Sequence, residues 1–300
     1  TGANIDYYLK SAASGPITLE ILDANGKSVR TYTSAESGGG GGGRGRGGAA
    51  AQNVPAYWNR TPETLSAAAG MHRWTWDVHY AAGADVGGGR GGRGGGGGLW
   101  AVPGKYSVKL TVDGKSYMQP LTVKMDPQVK APLPELQRQF DFAQQVSAKS
   151  AEVAKARGEV TRVRAQIATL RTQVGGNSAV GAALDALDAK AAAIGGVTAP
   201  TTPDSSGVAA PSADVTSLMF VGGELGQVLQ AVEGPDSAPS MQVMNAFAKA
   251  QKLGDAAIAK WTVVKNTDLV AVNAQLKQAN LTPISLEGGT PATGRGRRGQ

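Results

Sequence analysis

Between Phe142 and Val174 the apolar residues advance in alternating steps of four and three: Phe142, Val146, Val153, Ala156, Val160, Val163, Ile167, Leu170 and Val174. Lys149 takes one place on that seam and is its one polar member, and Gly158 is a weak point beside it. Only an α-helix brings residues at this spacing onto one line. A helix with a single apolar stripe is not stable alone in water, so this segment must pack against partners. That requirement constrains everything after Pro134.

The partners follow in the same chain. Gly175-Gly176-Asn177 stops the first helix, and Ser178 can cap the next. Val180, Leu184, Leu187, Ala191 and Ile194 then repeat the spacing over a shorter stretch. Leu218, Val221, Leu225, Val228 and Val232 form a third stripe, and Val243, Phe247, Ala250, Ala257, Trp261 and Val264 a fourth. A short last helix, "DLVAVNAQLKQAN", ends before "LTPI". Broken lengths and glycine stops favour an antiparallel helical bundle inside one chain over a coiled coil between chains. The bundle is expected over 134–283, with a flexible loop at 195–213 and a Gly/Arg-rich tail at 284–300.

Residues 1–126 read differently. "PITLEIL" alternates Ile17, Leu19 and Ile21 on one face, and Asn25-Gly26 supplies a tight turn. "YSVKLTV" puts Tyr106, Val108, Leu110 and Val112 on one face; Asp113-Gly114 turns the chain, and Tyr117, Leu121, Val123 and Met125 line the return. About seven such strands in roughly 100 residues point to an antiparallel sandwich of immunoglobulin or fibronectin type. "DPQVKAPLPEL" is a proline-marked linker, 127–133, into the first helix. The expected class is therefore α+β and multidomain.

Two tracts interrupt the strands: "SGGGGGGRGRGG" (37–48) and "GGGRGGRGGGGG" (87–98). With no side chains to bury, they read as loop inserts. They also explain the net charge of +7. Arg44, Arg46, Arg90, Arg93, Arg295, Arg297 and Arg298 all lie in these tracts or the tail, and without them the chain is neutral. No basic helix or strand face is left for nucleic acid, and neither insert interleaves aromatics with its arginines. Nucleic-acid binding through these loops is the weakest functional reading.

The chain has no cysteine, which removes disulfides, thiolate metal sites and cysteine nucleophiles. It has no run of eighteen apolar residues and so no membrane-spanning helix. It starts at Thr1 without an initiator methionine or signal peptide and reads as a piece of something larger. Its rare residues concentrate in "GMHRWTWDVHY" (70–80), which holds His72 and His79, Trp74 and Trp76, and Asp77. In a regular strand positions 72, 74, 76, 78 and 80 face one way and 71, 73, 75, 77 and 79 the other. The two histidines then cannot share a metal, the tryptophans belong to the core, and Asp77 with His79 lies outside, solvated or bracing a turn. Paired carboxylates for glycoside hydrolysis would come from Asp6, Glu20, Asp23, Glu36, Glu63, Asp77 and Asp113, which are scattered over turns and strand faces. No phosphate-cradling loop occurs, and a di-iron centre needs histidines the bundle lacks. No catalytic, cofactor or metal residue is assigned.

"ITLEILDANGKSVRTYTS", "GMHRWTWDVHY" and "VPGKYSVKLTVDGKSYMQPLTV" resemble the immunoglobulin-like module of flagellar hook-capping proteins and secretion-sorting domains. The shared pattern is Trp-Asp ending one strand and Pro-Gly-x-Tyr opening the next, filled here by Trp76-Asp77 and Pro103-Gly104-Lys105-Tyr106. The order of segments, from "IDYYLKSAASGPITLEILDANGKSVR" to "TDLVAVNAQLKQANLTPI", is similar to the C-terminal region of large secreted bacterial proteins with sortilin-like, BNR-repeat β-propellers. That resemblance implies a secreted or periplasmic, non-catalytic module whose partners are the upstream propeller of the same protein and a glycan or cell-surface protein. Its alternative is an accessory part of a sialidase-like glycosyl hydrolase with the active site in the propeller. It brings no catalytic residue to any position here and implies no cofactor.

Overall fold

A computed structural model of the chain describes residues 2–35, 64–81, 98–174, 179–196 and 215–286. Both glycine-rich inserts (the second except for Gly98), Glu36, Glu63, Ser178 and the arginine-bearing tail lie outside the described residues. The chain is mixed, with antiparallel sheets first and helices after. Its described residues divide into two compact units: those up to 141 together with 235–238, and those of 142–234 with 239–286.

The first unit holds six strands among the described residues: β1 (Ala3–Leu9), β2 (Thr18–Leu22), β3 (Ser28–Thr33), β4 (Gly70–Trp76), β5 (Gly104–Val112) and β6 (Lys115–Val123). One sheet pairs β1 with β4; the other has the order β3-β2-β5-β6. Both hairpins turn where the sequence places them. Gly26 takes φ +76°, and Asp113 and Gly114 take +47° and +79°, the paired left-handed conformations of a tight hairpin turn. Inward residues of both sheets, among them Tyr7, Leu9, Ile17, Leu19, Ile21, Val29, Trp76, Tyr106 and Val108, form a single buried cluster.

One expected face is not covered. Tyr117 lies opposite Leu110 on the inner side of β6, yet it is 57% exposed. Most of β6 is exposed in the same way among the described residues.

Gly98, the last residue of the second insert, is the one described part of it. Tyr80 N–H donates to the Leu99 carbonyl and Ala101 N–H to that of Val78, so the chain re-enters the sheet unit beside the residues it left. A Cβ on Gly98 would overlap the Tyr80 carbonyl oxygen, a backbone atom that cannot swing away. Gly98→Ala is therefore expected to destabilise the protein by roughly 1–3 kcal/mol, as overpacking does. A chemical-denaturation midpoint equal to wild type would refute the close approach.

The second unit is helical. α1 (Leu133–Val174) has its first nine residues, to Asp141, in the first unit and the rest in the second; it passes through Gly158 unbroken, and its seam from Val146 to Leu170 is buried. It is followed by α2 (Ala179–Gly195), α3 (Leu218–Glu233), α4 (Met241–Asn266) and α5 (Asp268–Gln278). Ser217 and Ser240 cap α3 and α4, each accepting a hydrogen bond from a first-turn amide at 3.3 Å. Two boundaries move. Gly195 is the buried last residue of α2, where a Cβ would come 2.7 Å from Val160, so it is packed and not part of a loose loop. Ile284 is buried and Asn273 clamps both its N–H and its carbonyl, while Ser285 bonds Gln166, so the ordered chain runs past 283.

Two polar groups sit within this helical packing. Lys149, on the seam, is buried with its ammonium held by Glu152 at 2.7 Å and by Asp255 of α4. Burial works to lower its pKa, but the hydrogen bonds it donates to both carboxylates outweigh this and the ammonium titrates above its ordinary range. Glu159 accepts from the Trp261 indole at 2.9 Å and from Lys265 at 2.8 Å. Burial raises its pKa, and these two donors more than offset that, leaving it below the ordinary glutamate value. A depressed folded-state pKa means stability that is present above the ordinary glutamate range and lost as pH falls through the folded value. Glu159→Gln should thus melt below wild type at neutral pH, with the gap closing as the solution is acidified. A gap that widens in acid would contradict the charge assignment.

Candidate functional site

The stretch 70–80 is the place to build a site from, because both histidines lie in it. Along β4 the alternation holds: Met71, Arg73 and Thr75 are exposed, while His72 and Trp74 are half-buried and Trp76 is fully buried. Cross-strand pairing then sets the neighbours. His72 lies opposite Tyr7 with ring centroids 5.2 Å apart, and its Nε2 is 2.8 Å from the Ala68 carbonyl. Trp74 packs on Tyr32 at 4.8 Å, and burial pushes the Tyr32 hydroxyl up to about 12. Trp76 meets Tyr106 edge-on at 5.5 Å.

Strict alternation stops at Trp76, which corrects the facing assigned to residues 77–80. Val78 adopts φ +61°, a left-handed conformation costly for a β-branched residue, and the chain turns a corner there. The corner is tied from inside: the Trp76 indole donates to the His79 carbonyl at 2.9 Å. His79 is not on an open outer face. Its side chain is 12% exposed and stacks on Trp100 at 3.8 Å. Nδ1 lies 2.7 Å from the Asp77 carbonyl oxygen, which can only accept, so Nδ1 carries the proton. The Asp77 carboxylate receives the His79 backbone N–H at 3.3 Å and stays 3.9 Å from the ring. These contacts brace a turn. They do not line up a nucleophile, base and orienting acid.

Of the carboxylates considered for hydrolysis, Glu36 and Glu63 lie outside the described residues, and the described ones are engaged elsewhere. Arg73 grips Asp6 through two bonds of 2.7 and 2.9 Å and holds its carboxyl below the usual range. Glu20 pairs with Lys109 at 2.9 Å across the sheet. Asp23 accepts the amides of Asn25 and Lys27 in the first hairpin turn. Asp113 accepts from the Ser14 hydroxyl and amide, which lowers its pKa. Asp6 and Asp113 both line the cleft described below, each held by the partners just named, and no group of three or more His, Asp or Glu side chains is placed to hold a metal among the described residues.

Two features escaped the sequence. One is the paired ion cluster around Lys149; its signal was the lone polar residue on an apolar seam. The other is a cleft of about 700 Å³ on the first unit, between β1 and the β5-β6 end of the larger sheet. Compared with protein-family models, curated proteins and solved structures, the chain matches none. No helix among the described residues is long and apolar enough to cross a membrane.

Proposed function

We propose that this chain is a non-catalytic structural and binding module, an immunoglobulin-like sandwich followed by an antiparallel helical bundle, closing the C-terminal end of a large exported β-propeller protein. The observation that carries the reading is the contact between Trp76 and Tyr106, the aromatic members of the two motifs behind the resemblance. They pack edge to face at 5.5 Å in the buried cluster common to both sheets. Tyr106 also donates its hydroxyl to the Val102 carbonyl at 2.7 Å, four residues upstream. A tyrosine near a strand start that bonds the backbone just before it is a corner device of immunoglobulin-like sandwiches. The use of both histidines as packing and bracing groups supports a scaffold over an active site.

The reading frame of the complete gene tests the architecture: an upstream signal peptide followed by bladed repeats is the expected result, and a frame without them overturns it. The non-catalytic part has its own test. A His72→Ala, His79→Ala double variant should stay folded, losing about 1 kcal/mol with the His79 stacking and hydrogen bond. It should leave any glycoside hydrolysis by the parent protein unchanged. A variant with a wild-type circular dichroism spectrum and abolished hydrolysis would reverse the assignment.

A further inference from the structure

Among the described residues, β1 has an unpaired edge that borders the cleft. Among the described residues β1 pairs only with β4, and the side facing the cleft carries no strand. Proteins commonly guard such edges with lysine, proline or a bulge. β6, one of the two edge strands of the other sheet, has Lys115 and Pro120. β1 reads "ANIDYYL", with neither residue and an unbroken seven-residue register against β4.

Beside this edge lies apolar surface that no other described residue covers completely. Leu110, Val112 and Leu121 are only partly buried on the inner face of β5 and β6, and they line the cleft together with Leu19 and Val108. Adjacent strands lie about 4.8 Å apart, so one further strand bonded to β1 would carry its inward side chains over that surface.

Charge gives the cleft a direction. Ser14, five residues past the end of β1, bonds Asp113, two residues before β6. The C-terminal end of β1 and the N-terminal end of β6 therefore meet, and they bring Lys10 and Lys115 to the same end of the cleft. Of the two acids of the lining, Asp6 is neutralised by Arg73, while Asp113 stays ionised, bonded to Ser14 and offsetting part of the Lys115 charge, so this end of the cleft keeps an excess of positive charge. Neither lysine is within ion-pair distance of a carboxylate among the described residues.

We propose that this cleft receives an extended segment of a partner protein as a third strand, antiparallel to β1. Its alternate side chains are apolar and rest on Leu110, Val112 and Leu121, and its N-terminal end is acidic and faces Lys10 and Lys115. Backbone bonds to the sheet edge supply affinity, and the apolar floor and lysine pair supply selectivity. The inference stands on the sheet edge alone and holds whether or not the chain belongs to a propeller protein.

The test uses an acetylated, amidated octapeptide of two glutamates followed by alternating valine and threonine, labelled at its C-terminal end and titrated against the whole chain by fluorescence anisotropy. Binding is expected at low salt. A peptide headed by two lysines should bind about tenfold more weakly, the scale on which charge complementarity acts at such sites. The same acidic peptide N-methylated at alternate residues should not bind. Lys10→Glu with Lys115→Glu, both surface changes, should invert the preference between the acidic and basic peptides, and Leu110→Glu should abolish binding of either. Three results would overturn the proposal: no binding of the acidic peptide to the wild-type protein, equal binding of the N-methylated peptide, or a sedimenting dimer that the peptide does not dissociate. The last would give the edge to a second copy of this chain.

Discussion

Trp261→Ala is expected to lower stability by about 3–5 kcal/mol, the range for truncating a large buried aromatic. Trp261 is 0% exposed in the helical unit, and its indole N–H is one of the two donors that keep Glu159 ionised. The alanine variant therefore leaves a cavity and takes a hydrogen bond from a carboxylate that is already largely desolvated. Trp261→Phe separates these effects. It keeps most of the volume and removes the donor, at a cost nearer 1–3 kcal/mol. It also lets Glu159 titrate closer to its ordinary range, so the acid limb of its stability profile should shift to higher pH. Urea denaturation at neutral and acidic pH reads both quantities. An alanine variant within 1 kcal/mol of wild type would mean that the neighbouring helices do not pack around this indole of α4.

Trp76→Ala should cost a similar amount, about 3–5 kcal/mol, in the sheet unit. Trp76 is 0% exposed, touches Tyr106 edge-on and ties the corner at Val78 through the His79 carbonyl. The loss should appear in hydrogen exchange as reduced protection of amides in β4 and β5. Protection unchanged in those strands would refute the shared core of the two sheets. Phenylalanine at this position keeps the ring contact but releases the His79 carbonyl, so its effect isolates the corner bond.

The helical half was the more legible in the sequence, and the reason is local. A stripe at helical spacing is a property of neighbouring residues, so Val146, Val153, Val160, Val163 and Ile167 announce a buried face without reference to the rest of the chain. Lys149 marks where that logic ends. Its residue type reads as an exception on the seam, but its partner Asp255 is 106 positions away and no periodicity points to it. The hairpins were legible for a similar local reason, since Asn-Gly and Asp-Gly announce turns. The division into sheets was not, because the pairing of β1 with β4 joins residues about seventy positions apart, as Asn4 with Thr75. The open cleft beside β1 follows from that division and could not be read before it. Alternation failed after Trp76 for another reason: nothing in a valine signals a left-handed backbone, and one such residue turns every later side chain to a new direction.

The short pairing that brings Tyr80 to Leu99 and Val78 to Ala101 has a practical consequence for protein engineering. Chain ends held side by side by backbone bonds make a graft junction, where a foreign domain with adjacent termini can be spliced in or new termini opened by circular permutation. Loop closure grows only logarithmically, by about 0.6 kcal/mol for each doubling of length, so the size of the graft matters little. What matters is that Gly98 stays at the seam of the graft, because the carbonyl of Tyr80 leaves room for nothing larger.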